Sequence, residues 1–249
     1  MARYNNYIFD LYGTLADIST DERSPKLWRL AALYYSEHGA EYQPAELKKA
    51  YLRLCRSAQE KEPDPLFEIE LRDVFSSLYF EKGIIPDGRL VAETAVFFRL
   101  SSLRKLKLFP WVKPVFKALR ESGCGIFLLS NAQACFTEPE LRALGIENDF
   151  DDTLLSSDAG VRKPSPAIMR RLLEENGLEA GGCVMVGNDR RADIALANAF
   201  KMDSVYIKTE TSVEEEPLER ASFELLDGDF AKLPELLGIR RSLHGKTAI

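Results

Sequence analysis

The chain has 249 residues, 45% hydrophobic and 29% charged, a composition that suits one large soluble domain or a core with a smaller companion. Its 33 basic and 39 acidic residues give a formal charge of −6, and no basic cluster or aromatic-basic interleaving appears, so no nucleic-acid partner is expected. No apolar run approaches about 18 residues and no charged-then-apolar leader opens the sequence, so no membrane partner is expected and a cytoplasmic setting is.

The first apolar run, Tyr7-Ile8-Phe9, is rich in strand formers and ends at the turn-prone Gly13, as a buried strand opening into a loop does. From about residue 20 to 104 the periods become helical. Ser24-Pro25 starts a helix that stops at Gly39, and Pro44 starts a second through Leu47, Ala50, Tyr51 and Leu54. Pro65 starts a third, through Val74, Phe75 and Leu78 to Gly83, and a fourth follows Pro86. Proline at the first helical position and glycine past the last are the punctuation this reading uses. Residues 20–104 therefore form an expected all-helical unit, with 1–19 and 105–249 making the core.

Beyond Phe109-Pro110 helices and apolar runs alternate. Helices over about 111–122, 138–144, 165–176 and 192–200 precede or separate the runs Ile126-Phe127-Leu128-Leu129, Thr153-Leu154-Leu155, Cys183-Val184-Met185-Val186 and Ser204-Val205-Tyr206-Ile207. Continuous apolar strands separated by helices predict an α/β fold: a Rossmann-like, doubly wound parallel sheet covered on both faces. Ligands of such sheets sit outside the carboxyl ends of the strands.

The chemistry rests on carboxylates. The four cysteines are scattered without a CxxC pair, which argues against a disulfide framework or a zinc site, and the only histidines are His38 and His244, the latter in a polar tail. Asp10 follows the first strand, Ser130 and Asn131 follow the Ile126 run, and Gly187, Asn188 and Asp189 follow the Cys183 run, with Asp193 a turn later. Lys163 stands in the loop after Leu154-Leu155. Each has an ordinary explanation as a turn or capping residue, but together they crowd one edge of one sheet. A carboxylate nucleophile needs its anionic target neutralised, and Lys163, Ser130 and Thr14 can supply charge and hydrogen bonds. Asp10, Asp189 and Asp193 would repel one another unless a cation lay among them, and oxygen ligands on loops suit Mg²⁺.

These segments, in this order, resemble the four motifs of the haloacid dehalogenase superfamily. Asp10 to Thr14 matches motif one, Ser130 motif two, Lys163 motif three and Gly187 to Asp193 motif four, and residues 20–104 look like that family's helical cap. The resemblance implies Asp10 as nucleophile, with Tyr12, Ser130 and Lys163 as further catalytic residues. It implies Thr14, Asn131 and Arg29 as substrate contacts, and a metal held by Asp10, the Tyr12 carbonyl and Asn188 or Asp189, with Asp193 beside them.

Within the superfamily the motifs divide. The phosphatase branch has a second aspartate two residues after the nucleophile, where this chain has Tyr12. Tyr12, and the Trp28-Arg29 pair, look like the L-2-haloacid dehalogenase branch instead. Met169, however, stands where that branch has a tyrosine, and the acidic motif four is that of the metal-using branches. The leading expectation is Mg²⁺-dependent hydrolysis of a small phosphorylated compound through an aspartyl intermediate. The alternatives are a metal-independent dehalogenase and a non-catalytic sensor that binds phosphate or metal.

Overall fold

The computed structural model describes residues 3–212, 219–228 and 232–239; His244 lies outside them. Six strands form one parallel sheet in the order β5-β4-β1-β6-β7-β8. They are β1 (Asn6–Phe9), β4 (Gly125–Ser130), β5 (Asp152–Leu155), β6 (Cys183–Gly187), β7 (Asp203–Ile207) and β8 (Phe223–Leu225). Strand β1 is central, pairing in parallel with β4 through Phe9 and Leu128 and with β6 through Phe9 and Val186.

The side-chain alternation of β1 explains why both faces are covered. Tyr7 and Phe9 pack on one face against α5 (Val112–Glu121), whose Val112, Val115, Phe116 and Leu119 are buried. Ile8 points to the other face, under α8 (Pro166–Glu175) and α9 (Ala195–Ala199), where Ile168, Met169, Leu172 and Leu196 meet it. A short α7 (Ser156–Ala159) follows β5, and α10 (Leu233–Leu236) closes the first face with Leu233.

Four helices stand apart from the sheet: α1 (Pro25–Glu37), α2 (Pro44–Gln59), α3 (Leu71–Phe80) and α4 (Gly88–Ser102). Ser24 caps α1 and Asp87 caps α4 with a 2.7 Å bond to Leu90 N, each satisfying an otherwise orphaned amide. Their inward faces make a separate apolar cluster around Trp28, Tyr35, Phe75, Tyr79 and Phe98. Among the described residues no helix is long and apolar enough to cross a membrane.

Four expectations need correction. The third helix begins at Leu71, not Pro65. Pro65 and Leu66 make only a single turn, closed by Phe67 N donating to Asp64 O at 3.0 Å, because Leu66 O accepts from Arg162 N at 2.7 Å and Glu68 N donates to Gly160 O at 3.0 Å, so tertiary partners replace helical ones. The helix expected over 138–144 is α6 (Ala134–Leu144), which starts earlier and runs through Pro139. The helix expected over 192–200 opens as a wide π-turn at Arg190–Ile194 before α9. Finally, β2 (Ala16–Thr20) and β3 (Leu103–Leu108) form an antiparallel ribbon that joins the four-helix unit to the core. The expected boundaries at 19/20 and 104/105 cut through this ribbon.

Candidate active site

Strand β1 ends at the carboxyl edge of the sheet, where Asp10 N donates to Val186 O at 2.9 Å. The chain then folds back on itself: Leu15 N and Ala16 N both donate to Leu11 O, and Gly13 adopts φ 83°. That turn excludes a side chain, since a Cβ on Gly13 would lie 2.4 Å from Asn188 Nδ2. It brings the Thr14 hydroxyl to 3.1 Å from Asp10 Oδ2. Neighbouring β4 ends at Ser130, whose hydroxyl donates to Asp10 Oδ1 at 3.1 Å.

Lys163 completes the cluster. Its buried ammonium donates to Asp10 Oδ1 at 2.7 Å, to Asp193 Oδ1 at 2.7 Å and to Leu129 O at 2.8 Å, using all three of its protons. Burial alone would lower the lysine pKa, but the charges of Asp10 and Asp193 outweigh it and hold the group above its ordinary value. Burial raises the Asp193 pKa, and Lys163 opposes that rise while Asp10 adds to it. The backbone of Lys163 is clamped by Asn131, whose Oδ1 accepts from Lys163 N at 2.7 Å while its Nδ2 donates to Lys163 O at 3.0 Å.

The wide turn after β6 places Asp193. Its Oδ2 accepts from Asp189 N at 3.0 Å, and Asp189 Oδ1 accepts from Arg191 N and Ala192 N, capping the turn. Gly187 makes room, because a Cβ there would fall 2.1 Å from Asp193 Oδ2.

Several expected roles change on this geometry. Asp193 also lines the cavity, with Oδ1 on the Lys163 ammonium and Oδ2 on Asp189 N, so the cation that this geometry sets between it and Asp10 is Lys163. Asp189 caps the turn through Oδ1, although it still lines the cavity. Thr14 is fully buried and orients Asp10, so it is not placed to touch a substrate. Asn131 lines the cavity, but both ends of its amide hold Lys163. Arg29 is exposed on α1 and does not line the cavity, because the buried neighbour Trp28 fixes the helix face by donating to Glu22 O at 2.9 Å.

The fit to Mg²⁺ turns on Thr14. Its hydroxyl oxygen lies 3.1 Å from both Asp10 Oδ2 and Asn188 Oδ1, and its single proton cannot satisfy both. Two hard oxygens thus converge at the cavity wall with one proton between them. The Asn188 amide is oriented from behind by Thr209 and Thr211 hydroxyls at 3.3 and 3.2 Å, so its oxygen is the end turned toward Asp10. Among the described residues no cluster of three or more His, Cys, Asp or Glu side chains forms a metal site. The donor set fits an ion that accepts neutral oxygens and retains several waters, as Mg²⁺ does.

Tyr12 lines the cavity, but its hydroxyl is engaged elsewhere. It donates to Glu140 Oε2 and lies 2.9 Å from Thr137 Oγ1, both on α6. Glu140 Oε1 in turn accepts from Arg99 Nε of α4 at 2.6 Å. Burial, then the neighbouring Glu140 carboxylate, hold the phenol well above its ordinary pKa. Sequence reasoning missed Glu140, Thr137, Arg99 and the threonines behind Asn188. An acidic residue one turn after Phe136 on the apolar face of α6 was the available signal for Glu140.

The cavity has a volume of about 210 Å³ and is bounded by Asp10, Tyr12, Ser130, Lys163, Asn188 and Asp189 among others. A larger hollow of about 470 Å³ beside Gly13, Asp17 and Lys208 shares only Thr211 with it and gathers no comparable set of groups around a reactive one. The cavity thus presents a carboxylate at a parallel strand end, held by a buried lysine. Residues 4–201 match the family model for haloacid dehalogenase-like hydrolases, and the chain belongs to that family.

The chain is 30% identical over 169 residues to a glyceraldehyde 3-phosphate phosphatase from Methanopyrus kandleri, covering 68% of this chain and 72% of that protein. It is 28% identical to the glyceraldehyde 3-phosphate phosphatase of Methanothermobacter thermautotrophicus, over 92% of this chain and 97% of that one. Among solved structures it resembles a 2-haloacid dehalogenase from Pseudomonas syringae pv. Tomato DC3000 at TM-score 0.66 and 22% identity, over 94% and 98% of the two chains. A HAD phosphatase from Thermococcus onnurineus matches at TM-score 0.60 and 19% identity, over 95% and 99%. These two structural likenesses concern the fold.

Proposed function

We propose that the chain is a phosphatase-type hydrolase of a small phosphorylated compound, assisted by Mg²⁺, with Asp10 as nucleophile. The observation that carries this reading is the placement of Asp10 between a buried ammonium on one side and the converging oxygen of Asn188 on the other. Asp10, the Tyr12 carbonyl and Asn188 would hold the ion, with Asp189 at the cavity rim. When bound, Mg²⁺ would neutralise charge on the phosphoryl group and on the cluster of carboxylates.

Lys163 and Ser130 hold one Asp10 oxygen and Thr14 the other, so the carboxylate is oriented before substrate arrives. Asp10 attacks phosphorus and the phosphorus–oxygen bond to the leaving alcohol breaks, giving an aspartyl phosphate and an alkoxide that is protonated by solvent water. Water then attacks the same phosphorus and loses a proton to solvent as the bond to the Asp10 oxygen breaks, regenerating Asp10 and releasing inorganic phosphate. Tyr12 directs its hydroxyl hydrogen bond at Glu140, so it is not placed to protonate the leaving group. This favours phosphates whose leaving groups need little protonation.

The site does not favour the dehalogenase alternative, despite Tyr12. Met169 is fully buried under the sheet, and Arg29 is exposed outside the cavity. The test is a screen of purified protein against phosphorylated metabolites and 2-haloacids, with Mg²⁺ and with chelator. Mg²⁺-dependent phosphate release supports the reading, and chelator-resistant halide release overturns it. Binding of Mg²⁺ or phosphate without any turnover would favour a sensor.

A further inference from the structure

The segment that follows β7 sets the hydroxyls of Thr209 and Thr211 directly behind the Asn188 amide, with Ser212 behind Thr209. Asn188 Nδ2 donates to Thr209 Oγ1 at 3.3 Å and to Thr211 Oγ1 at 3.2 Å. The turn at Gly13 leaves room for this approach, since an ideal Cβ there would lie 2.3 Å from Thr211 Oγ1 and 2.4 Å from Asn188 Nδ2.

A hydroxyl both donates and accepts, so these contacts alone do not select one end of the amide. The far end of the hydroxyl chain supplies the direction. Ser212 Oγ lies 3.5 Å from Ile207 O, a carbonyl that can only accept, so the serine proton points there. Thr209 Oγ1, 3.5 Å from Ser212 Oγ, then donates to the serine, and Thr211 Oγ1, 3.3 Å from Thr209 Oγ1, donates to Thr209. Both threonine protons are thereby directed away from Asn188. What the two oxygens offer the amide is lone pairs, which take its NH₂ end.

The rest of the site would be better satisfied by the opposite orientation. Rotated by a half-turn, the amide would donate to Thr14 Oγ1, which lies 3.1 Å from the present Oδ1, and Thr14 would donate its one proton to Asp10 Oδ2. A donor would then face the space beside Asp10 that a cation needs. The orientation that the threonines select instead turns two oxygens toward one proton, which suits a hard divalent ion. We infer that Thr209 and Thr211 are positioning residues of the metal site, their hydroxyl chain, directed by the Ile207 carbonyl, keeping the Asn188 oxygen toward Asp10. A carboxylate at 188 would need no such support, because its two oxygens are equivalent. The inference rests on the Mg²⁺-assisted reading above and deepens it.

Calorimetric titration with Mg²⁺ alone tests this without turnover. Thr209→Val with Thr211→Val keeps the side-chain shapes and should raise the Kd for Mg²⁺ about tenfold, as the competent fraction of the amide falls to about a tenth. Thr209→Ser with Thr211→Ser keeps the hydroxyls and should bind within about twofold of wild type. In an Asn188→Asp background the valine pair should change Kd by less than about threefold, the mark of an effect that acts through the amide. Thr211 is exposed, so if the pair does not fold, Thr211→Val alone should still raise Kd about threefold. Unaltered affinity in the folded valine variant overturns the inference. An equal loss in both backgrounds overturns it too, because the threonines would then shape the loop and not the amide. Wild-type protein that gives no heat with Mg²⁺ overturns it whether or not phosphate is released. Absence of turnover with the tenfold, background-dependent shift intact supports the positioning role and counts against the phosphatase reading alone.

Discussion

Tyr12 donates its only hydroxyl proton to Glu140, 128 residues further along the chain. The position two residues after the nucleophile, filled by an acid in the phosphatase branch, therefore carries a donor directed at a carboxylate of α6. With Arg99 pairing that carboxylate, the chain replaces a proton-transfer group with a packing and hydrogen-bonding one.

Tyr12→Asp should restore a general acid and base and raise Mg²⁺-dependent phosphatase activity. Such catalysis typically contributes about 10² to 10⁴-fold. The gain should be larger for alkyl than for aryl phosphates, whose leaving groups need less protonation. Steady-state rates on a matched alkyl and aryl pair check this. A folded variant that binds Mg²⁺ and gains nothing rejects the missing-acid account.

Asp10→Asn keeps the shape of the side chain and removes the nucleophile. Turnover should fall by about 10³-fold or more, with an unchanged melting curve up to the loss of the Lys163 ion pair. Activity close to wild type would mean that another group attacks.

Lys163→Met should be a stability variant as well as a catalytic one. Removing the ammonium leaves Asp10 and Asp193 facing each other in a buried site, and losing one partner of such a cluster costs about 3–5 kcal/mol. Adding Asp193→Asn should recover part of the stability without recovering turnover. Urea unfolding of the single and double variants measures both effects. If Lys163→Met is as stable as wild type, the ammonium is not the cation that separates the two carboxylates.

The strands and the site edge were legible because they are local. Runs such as Ile126-Phe127-Leu128-Leu129 announce buried strands, and the polar residue ending each run falls on the carboxyl edge by topology alone. The cap helices carried proline and glycine at their ends. The β2–β3 ribbon was not legible: Ala-Asp-Ile-Ser-Thr is weakly patterned, and its partner lies beyond four helices. Pro65 is not a helix start for the same kind of reason, since the hydrogen bonds that stop a helix after the Pro65-Leu66 turn come from residues 160–162. Arg99, Glu140 and the Lys163–Asp193 pair likewise depend on side chains brought together from distant segments. An acid after a strand marks a place in the site; it does not say whether a metal or a lysine will face it.

Gly187→Ala tests the packing behind that pair. The new methyl would overlap the Asp193 carboxylate, whose nearest oxygen lies 2.1 Å from the ideal Cβ position. Overpacking of this kind costs about 1–3 kcal/mol, and displacing Asp193 should also loosen Lys163 from Asp10. Both a lower unfolding midpoint and a reduced kcat are expected. A variant with normal stability and kcat would show that Asp193 can shift without consequence for the site.

The central claim is that Asp10 forms a covalent bond to phosphorus. Acid quenching during Mg²⁺-dependent turnover of p-nitrophenyl phosphate, followed by peptide mass spectrometry, tests it most directly. The account predicts a phosphoryl group on the peptide containing Asp10, absent in Asp10→Asn and absent when chelator replaces Mg²⁺. Rapid turnover with no phosphorylated peptide, or a phosphoryl group on a peptide lacking Asp10, would contradict it.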